Sequence, residues 1–136
     1  MTVAVPNWER YRVEDKIREI LADVEYVERN HHFGRPFIST YQLAIEFERR
    51  NPNIVSELDL QIGGEGIGEY FALATYLANQ LSIRIKNKTM KDIEGRFMAK
   101  QDIKEMVFAD RRGRLIHPSM MSNQYDLSMF RLTDRG

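Results

Sequence analysis

Three arginines, Arg111, Arg112 and Arg114, stand around one glycine in the stretch Asp110-Arg111-Arg112-Gly113-Arg114. A guanidinium is a planar fork of N–H donors that fits two oxygens of a phosphate. On a protruding turn such forks suit contact with nucleic-acid phosphate. Lys86, Lys88, Lys91, Arg96, Lys100 and Lys104 precede them in the chain. Upstream, Thr75, Asn79 and Gln80 carry the hydroxyl and amide groups that read base edges. The plainer alternative is a solvated, arginine-rich turn.

Other chemistry is poorly supported by spacing. His31 and His32 are adjacent and His117 is distant, with no H-x-x-x-H or H-E-x-x-H pattern, so turn histidines are expected rather than a metal site. Cysteine is absent, which removes disulfides, thiolate ligands and a cysteine nucleophile. Ser39, His31 and Asp59 could be assembled into a nucleophile–base–acid set, yet no G-x-S-x-G elbow supports it. The run Gly63-Gly64-Glu65-Gly66-Ile67-Gly68 opens a helical pattern. It lacks the lysine of a phosphate loop and the preceding strand of a dinucleotide fingerprint. Glu65 and Glu69 also place negative charge where a phosphate would sit, and they suit the helix dipole instead. The expectation is a structural glycine turn, no cofactor and no enzyme.

The elements that position these residues follow from periodicity. Residues 1–11 read as a loose arm with Trp8 and Tyr11 able to dock. Val13, Ile17, Ile20, Leu21, Val24 and Val27 share one helical face, predicting a helix over about 13–29. Gly34 and Pro36 mark a turn. Ser39 followed by Gln42 is a capping box for a helix over 40–50, which must stop before Pro52. Ile54–Leu60 reads as a short helix capped by Asn53. The spacing of Ile67, Tyr70, Phe71, Ala74, Leu77, Ala78, Leu81 and Ile85 predicts a central helix over about 67–85 around which the chain packs. The expected core is Ile17, Leu21, Val24, Leu43, Phe47, Phe71, Ala74, Leu77, Ala78 and Leu81.

The last third changes character. Ile93–Ala99 and Glu105–Ala109 look extended. Met106–Asp110 and Arg114–His117 form a β-hairpin pattern turning at Gly113. Ser119–Gln124 is polar and loop-like, and Tyr125–Thr133 reads as a third strand. The fold class expected is therefore α+β in one domain over residues 1–136: a helical N-terminal two-thirds, then a small antiparallel sheet.

Helices followed by a β-hairpin resemble the layout of winged-helix DNA-binding domains, over roughly Val13–His117. The resemblance is architectural and implies a groove-entering central helix with a backbone-touching hairpin, and so duplex DNA as partner. Two departures stand beside it. Asn51–Gly66 is long for a helix-turn-helix connection, and the exposed face of the central helix has no Lys or Arg before Arg84. The second reading is a non-enzymatic interaction module, a homodimer or a subunit of a larger assembly. Its support is the alanine-rich central helix and the tail methionines Met120, Met121 and Met129, which adapt to partners.

Charge bears on both readings. The net charge of zero divides into −5 over residues 1–83 and +5 over residues 84–136. A basic half can display a binding face, or the two halves can attract each other within one fold or dimer. With 43% hydrophobic and 29% charged residues the chain reads as globular. It shows no apolar run of membrane-spanning length and no signal-peptide core. A cytoplasmic protein without a membrane partner is the expectation.

Overall fold

The structure is a computed structural model that describes residues 5–25, 32–64, 66–68, 71–118 and 126–133. Among them it is α+β, with helices α1 Asn7–Arg10, α2 Val13–Ala22, α3 Thr40–Arg50, α4 Pro52–Leu58 and α5 Leu73–Lys86. The strands are β1 Ile38–Ser39, β2 Ile93–Met98, β3 Phe108–Ala109, β4 Leu115–Ile116 and β5 Leu127–Leu132.

Local chemistry explains the boundaries. Ser39 Oγ accepts the amide of Gln42 at 3.1 Å while Gln42 Oε1 accepts the amide of Ser39 at 2.7 Å. This reciprocal box starts α3 as expected. Pro52 closes α3 and opens α4, two residues before the expected start, because a missing N–H costs nothing in a first helical turn. Arg12 and Asp59 take left-handed geometry before α2 and after α4.

Several expectations are corrected. Within the predicted arm, residues 7–10 form α1 and Trp8 docks as expected, at 5% exposure; residues 1–4 lie outside the described residues. The Arg84 guanidinium stacks 4.1 Å from the centre of the Trp8 ring. Helix α2 ends at Ala22, so Val24 is only half-buried; residues 26–31 lie outside the described residues. The central helix begins at Leu73, not Ile67, and Phe71 is 58% exposed instead of core. The described residues on either side of the predicted helix start are pinned by backbone hydrogen bonds. The amides of Leu73 and Ala74 donate to the carbonyls of Gln61 and Ile62, and the amide of Gln61 donates to the carbonyl of Phe71 at 2.8 Å. These bonds satisfy the first orphan amides of α5, which a longer helix would otherwise have used.

The sheets also refine the reading. β2 pairs antiparallel with β5 over its full length, from Ile93↔Leu132 to Met98↔Leu127. β5 pairs on its other side with β1, Ile38↔Phe130 and Ser39↔Met129. The order is β1-β5-β2, so one strand comes from the helical part of the chain, between α2 and α3. A periodicity search misses β1 because two residues cannot show alternation. The expected hairpin exists in shorter form as β3–β4, with Phe108 opposite Ile116 and Ala109 opposite Leu115.

One buried cluster joins helices and sheet. Val13, Ile17, Leu43, Ala44, Phe47, Leu73, Leu77 and Leu81 have no more than 4% exposure, and Met90, Ile93, Ile116 and Phe130 extend the cluster to the strands. Ala74 is buried as expected and Ala78 packs against the cluster half-buried. No helix among the described residues is long and apolar enough to cross a membrane.

Candidate nucleic-acid interface

The hairpin turn is built on one carboxylate. Asp110 Oδ1 accepts the backbone amides of Arg112 and Arg114 at 3.0 and 2.8 Å, and Oδ2 accepts Arg114 Nε at 2.9 Å. Gly113 closes the turn at φ +86°, donating its amide to the Asp110 carbonyl at 3.0 Å. Loss of water pushes the Asp110 carboxyl up, but the two amides and the Arg114 guanidinium outweigh it and hold it below its ordinary range.

The turn does not stand out alone. Phe108 stacks on Tyr41 of α3 with ring centres 5.7 Å apart. Arg114 Nη2 reaches across to the carboxylate of Glu48, and Arg111 Nη2 lies 3.8 Å from that of Glu46. Glu46 also holds Arg49 at 2.7 Å, and these cations, Arg49 first, keep its carboxyl below the usual range. The Glu48 carboxylate raises the pKa of Arg114. Between the turn and helices α3 and α4 lies a cleft of about 380 Å³, lined by Arg49, Ser56, Asp110, Arg111, Arg112 and Arg114 among others.

The three arginines are therefore gathered but not equivalent. Arg114 is a structural tie between turn and helix. Arg111, 69% exposed, holds only a long ion pair. Among the described residues, the Arg112 side chain is the one of the three with no ion pair or hydrogen bond, so it is the one available to a ligand.

Thr75, Asn79 and Gln80 sit on α5, away from this turn. Asn79 is exposed, and Thr75 and Gln80 are half-buried. Gln80 is already engaged, because its Oε1 accepts Arg84 Nη1 at 2.6 Å. No hydrogen bond or ion pair among the described residues joins this set to the arginine turn. Sequence reasoning missed the acidic partners on α3, and Glu46 and Glu48 carry no local signal that they would face residue 110 onward. It also missed how free the cations after α5 are. Lys86, Lys88 and Lys91 are exposed and make no ion pair among the described residues.

The described part of the glycine run ends at an α5 start whose first amides are already bonded. Two of the amides an anion would need at the start of α5 are spent on Gln61 and Ile62. Gly64 is needed for close approach: a Cβ there would lie 2.5 Å from the His117 carbonyl oxygen. Among the described residues no group of His, Asp or Glu could hold a metal ion; His31 lies outside them.

Comparisons with protein-family models, with curated proteins and with solved structures find no match for this chain.

Proposed function

We propose that the protein binds nucleic acid as a winged-helix-like domain in the cytoplasm, with duplex DNA as the partner. Helix α5 is the groove-facing element, and the β3–β4 hairpin is the wing. The observation that carries this reading is the strand order of the sheet. Strand β1, between α2 and α3, pairs with β5, and β5 pairs with β2. Helices and sheet thus form one body, from which the connection bearing Arg112 leaves between Met98 and Leu127. Phosphate contact falls first to Arg112, with Arg111 able to exchange its long ion pair for a phosphate. Lys86, Lys88 and Lys91 supply further charge beside α5. Base reading, where present, belongs to Asn79 and Thr75, and to Gln80 once Arg84 releases it.

Retardation of duplex DNA over a salt series tests the proposal. Binding should weaken steeply with salt, because each neutralised phosphate releases counterion. Arg112→Ala should weaken binding to all sequences alike and lower the salt slope by about one contact. Failure to retard duplex or single-stranded nucleic acid at low salt overturns the reading.

The second reading, a non-enzymatic interaction module or homodimer, is favoured by exposed apolar side chains. Phe97 on β2 is 62% exposed, Leu115 on β4 60% and Ile83 on α5 52%.

A further inference from the structure

Among the described residues strand β2 ends its sheet, and the backbone shows which of its groups face outward. The amide of Thr133 donates to the carbonyl of Asp92 at 2.8 Å, so residue 92 faces β5. Backbone groups in an antiparallel ladder alternate in direction. Glu94, Arg96 and Met98 therefore also turn their N–H and C=O toward β5, while those of Ile93, Gly95 and Phe97 turn outward. Among the described residues these outward groups meet no backbone partner. The Gly95 carbonyl accepts only the guanidinium of Arg96, at 2.8 Å. An open edge of this kind, six residues long and free of proline and lysine, is a template for another strand.

We propose that the occupant is β2 of a second copy, paired antiparallel about Gly95. Outward groups must meet outward groups, which puts the two-fold on a residue, and the centres that keep most of the strand paired are Glu94, Gly95 and Arg96. A centre on Glu94 sets Glu94 against Glu94, and a centre on Arg96 sets Arg96 against Arg96. The Gly95 centre sets Glu94 opposite Arg96 of the other copy, twice. These are non-hydrogen-bonded positions, where facing side chains come closest and opposite charges stabilise. In this register every outward N–H and C=O from Ile93 to Phe97 finds a partner. Arg96 leaves the Gly95 carbonyl and its own Glu94, 3.5 Å away, for the Glu94 opposite. Glu94 keeps its bond from Arg131 at 2.7 Å. Ile93, 3% exposed, lies opposite Phe97. The two three-stranded sheets become one continuous sheet. This inference does not rest on nucleic-acid binding.

Because the chain contains no cysteine, cross-linking isolates the register. The full-length Glu94→Cys and Arg96→Cys variants, mixed and mildly oxidised, should give a disulfide-linked dimer. Facing Cβ atoms in such pairs fall within disulfide reach, whereas each variant alone places its two sulfurs too far apart. Sedimentation of the wild-type protein should give twice the chain mass as concentration rises. Phe97→Pro should restore the single-chain mass with unchanged circular dichroism, because it removes only an outward amide. A single-chain mass for the wild type at every concentration overturns the proposal and leaves the edge to a strand of another protein. Equal cross-linking of either variant alone, or dimers that persist in Phe97→Pro, overturns the register.

Discussion

At residue 114 a guanidinium that reads in sequence as a phosphate ligand is a brace. Arg114 ties Asp110 on its own turn to Glu48 on α3, whereas Arg112 beside it has no such role. The two should separate experimentally. Arg114→Ala should lower the melting temperature by freeing the hairpin from α3 and leaving Glu48 without its cation. Arg112→Ala should leave the melting temperature unchanged and weaken DNA retardation. Equal thermal effects would show that the Arg114 contacts do not hold the turn. In the core, Leu77 has no exposed surface. Leu77→Ala should cost about 2–5 kcal/mol in denaturant unfolding through lost burial and the cavity left behind. The carboxyls of Glu46, Asp92 and Asp110 are all held low, Glu46 first by Arg49, Asp92 first by Arg18, and Asp110 by the turn donors that outweigh its desolvation. Their folded-state pKa values thus lie below the unfolded ones. The stability they contribute is present above the unfolded value near 4 and is lost as pH falls through the folded values. Unfolding followed from neutral to acid pH should show that loss below about pH 4, and Asp92→Asn should flatten it.

At the scale of elements, the glycine loop decides where α5 begins. Apolar spacing continues backward through Phe71 and Ile67, and spacing alone extends the helix to residue 67. The carbonyls of Gln61 and Ile62 instead cap Leu73 and Ala74, and Gly63, Gly64 and Gly66 take positive φ. Gly64→Ala should be the most damaging substitution in the loop, because its Cβ meets the His117 carbonyl and its φ is +110°. At Gly66 the same change meets open space at φ +85°, so it should cost only the left-handed penalty of about 1–2 kcal/mol. Chemical denaturation of both variants gives the order, and a larger loss at Gly66 would contradict it.

For the whole molecule, the opposed charges of the two halves meet at a few surface ion pairs. Arg84 faces Glu9, Arg111 faces Glu46 and Arg114 faces Glu48, each joining the basic half to the acidic one. Arg18 reaches the other way, to Asp92 at 2.8 Å. Among the described residues, the cations of the basic half that make no ion pair include Arg112, Lys104 and, at the end of α5, Lys86, Lys88 and Lys91. Reversing Lys86, Lys88 and Lys91 together, each to Glu, should abolish retardation of DNA at low salt while circular dichroism is unchanged. Retained retardation would move the binding surface away from α5.

Much was legible in the chain itself. The α+β class, the capping box at Ser39, the break at Pro52, the turn at Gly113 and the buried face of α5 all follow from patterns spanning a few residues. Such patterns act through local hydrogen bonds and through one face of an element being apolar, so sequence carries them directly. The remainder depended on which surfaces meet. Strand β1 exists because β5 lies beside it, and Trp8 is buried because it joins the core cluster with Arg84 stacked on its ring. Arg114 is spent because Glu48, far away in sequence, faces it across the cleft. The free edge of β2 likewise follows from strand order and hydrogen-bond direction. These are long-range pairings, and only tertiary structure decides them, because a side chain's partner is set by the packing of whole elements rather than by its neighbours in the chain.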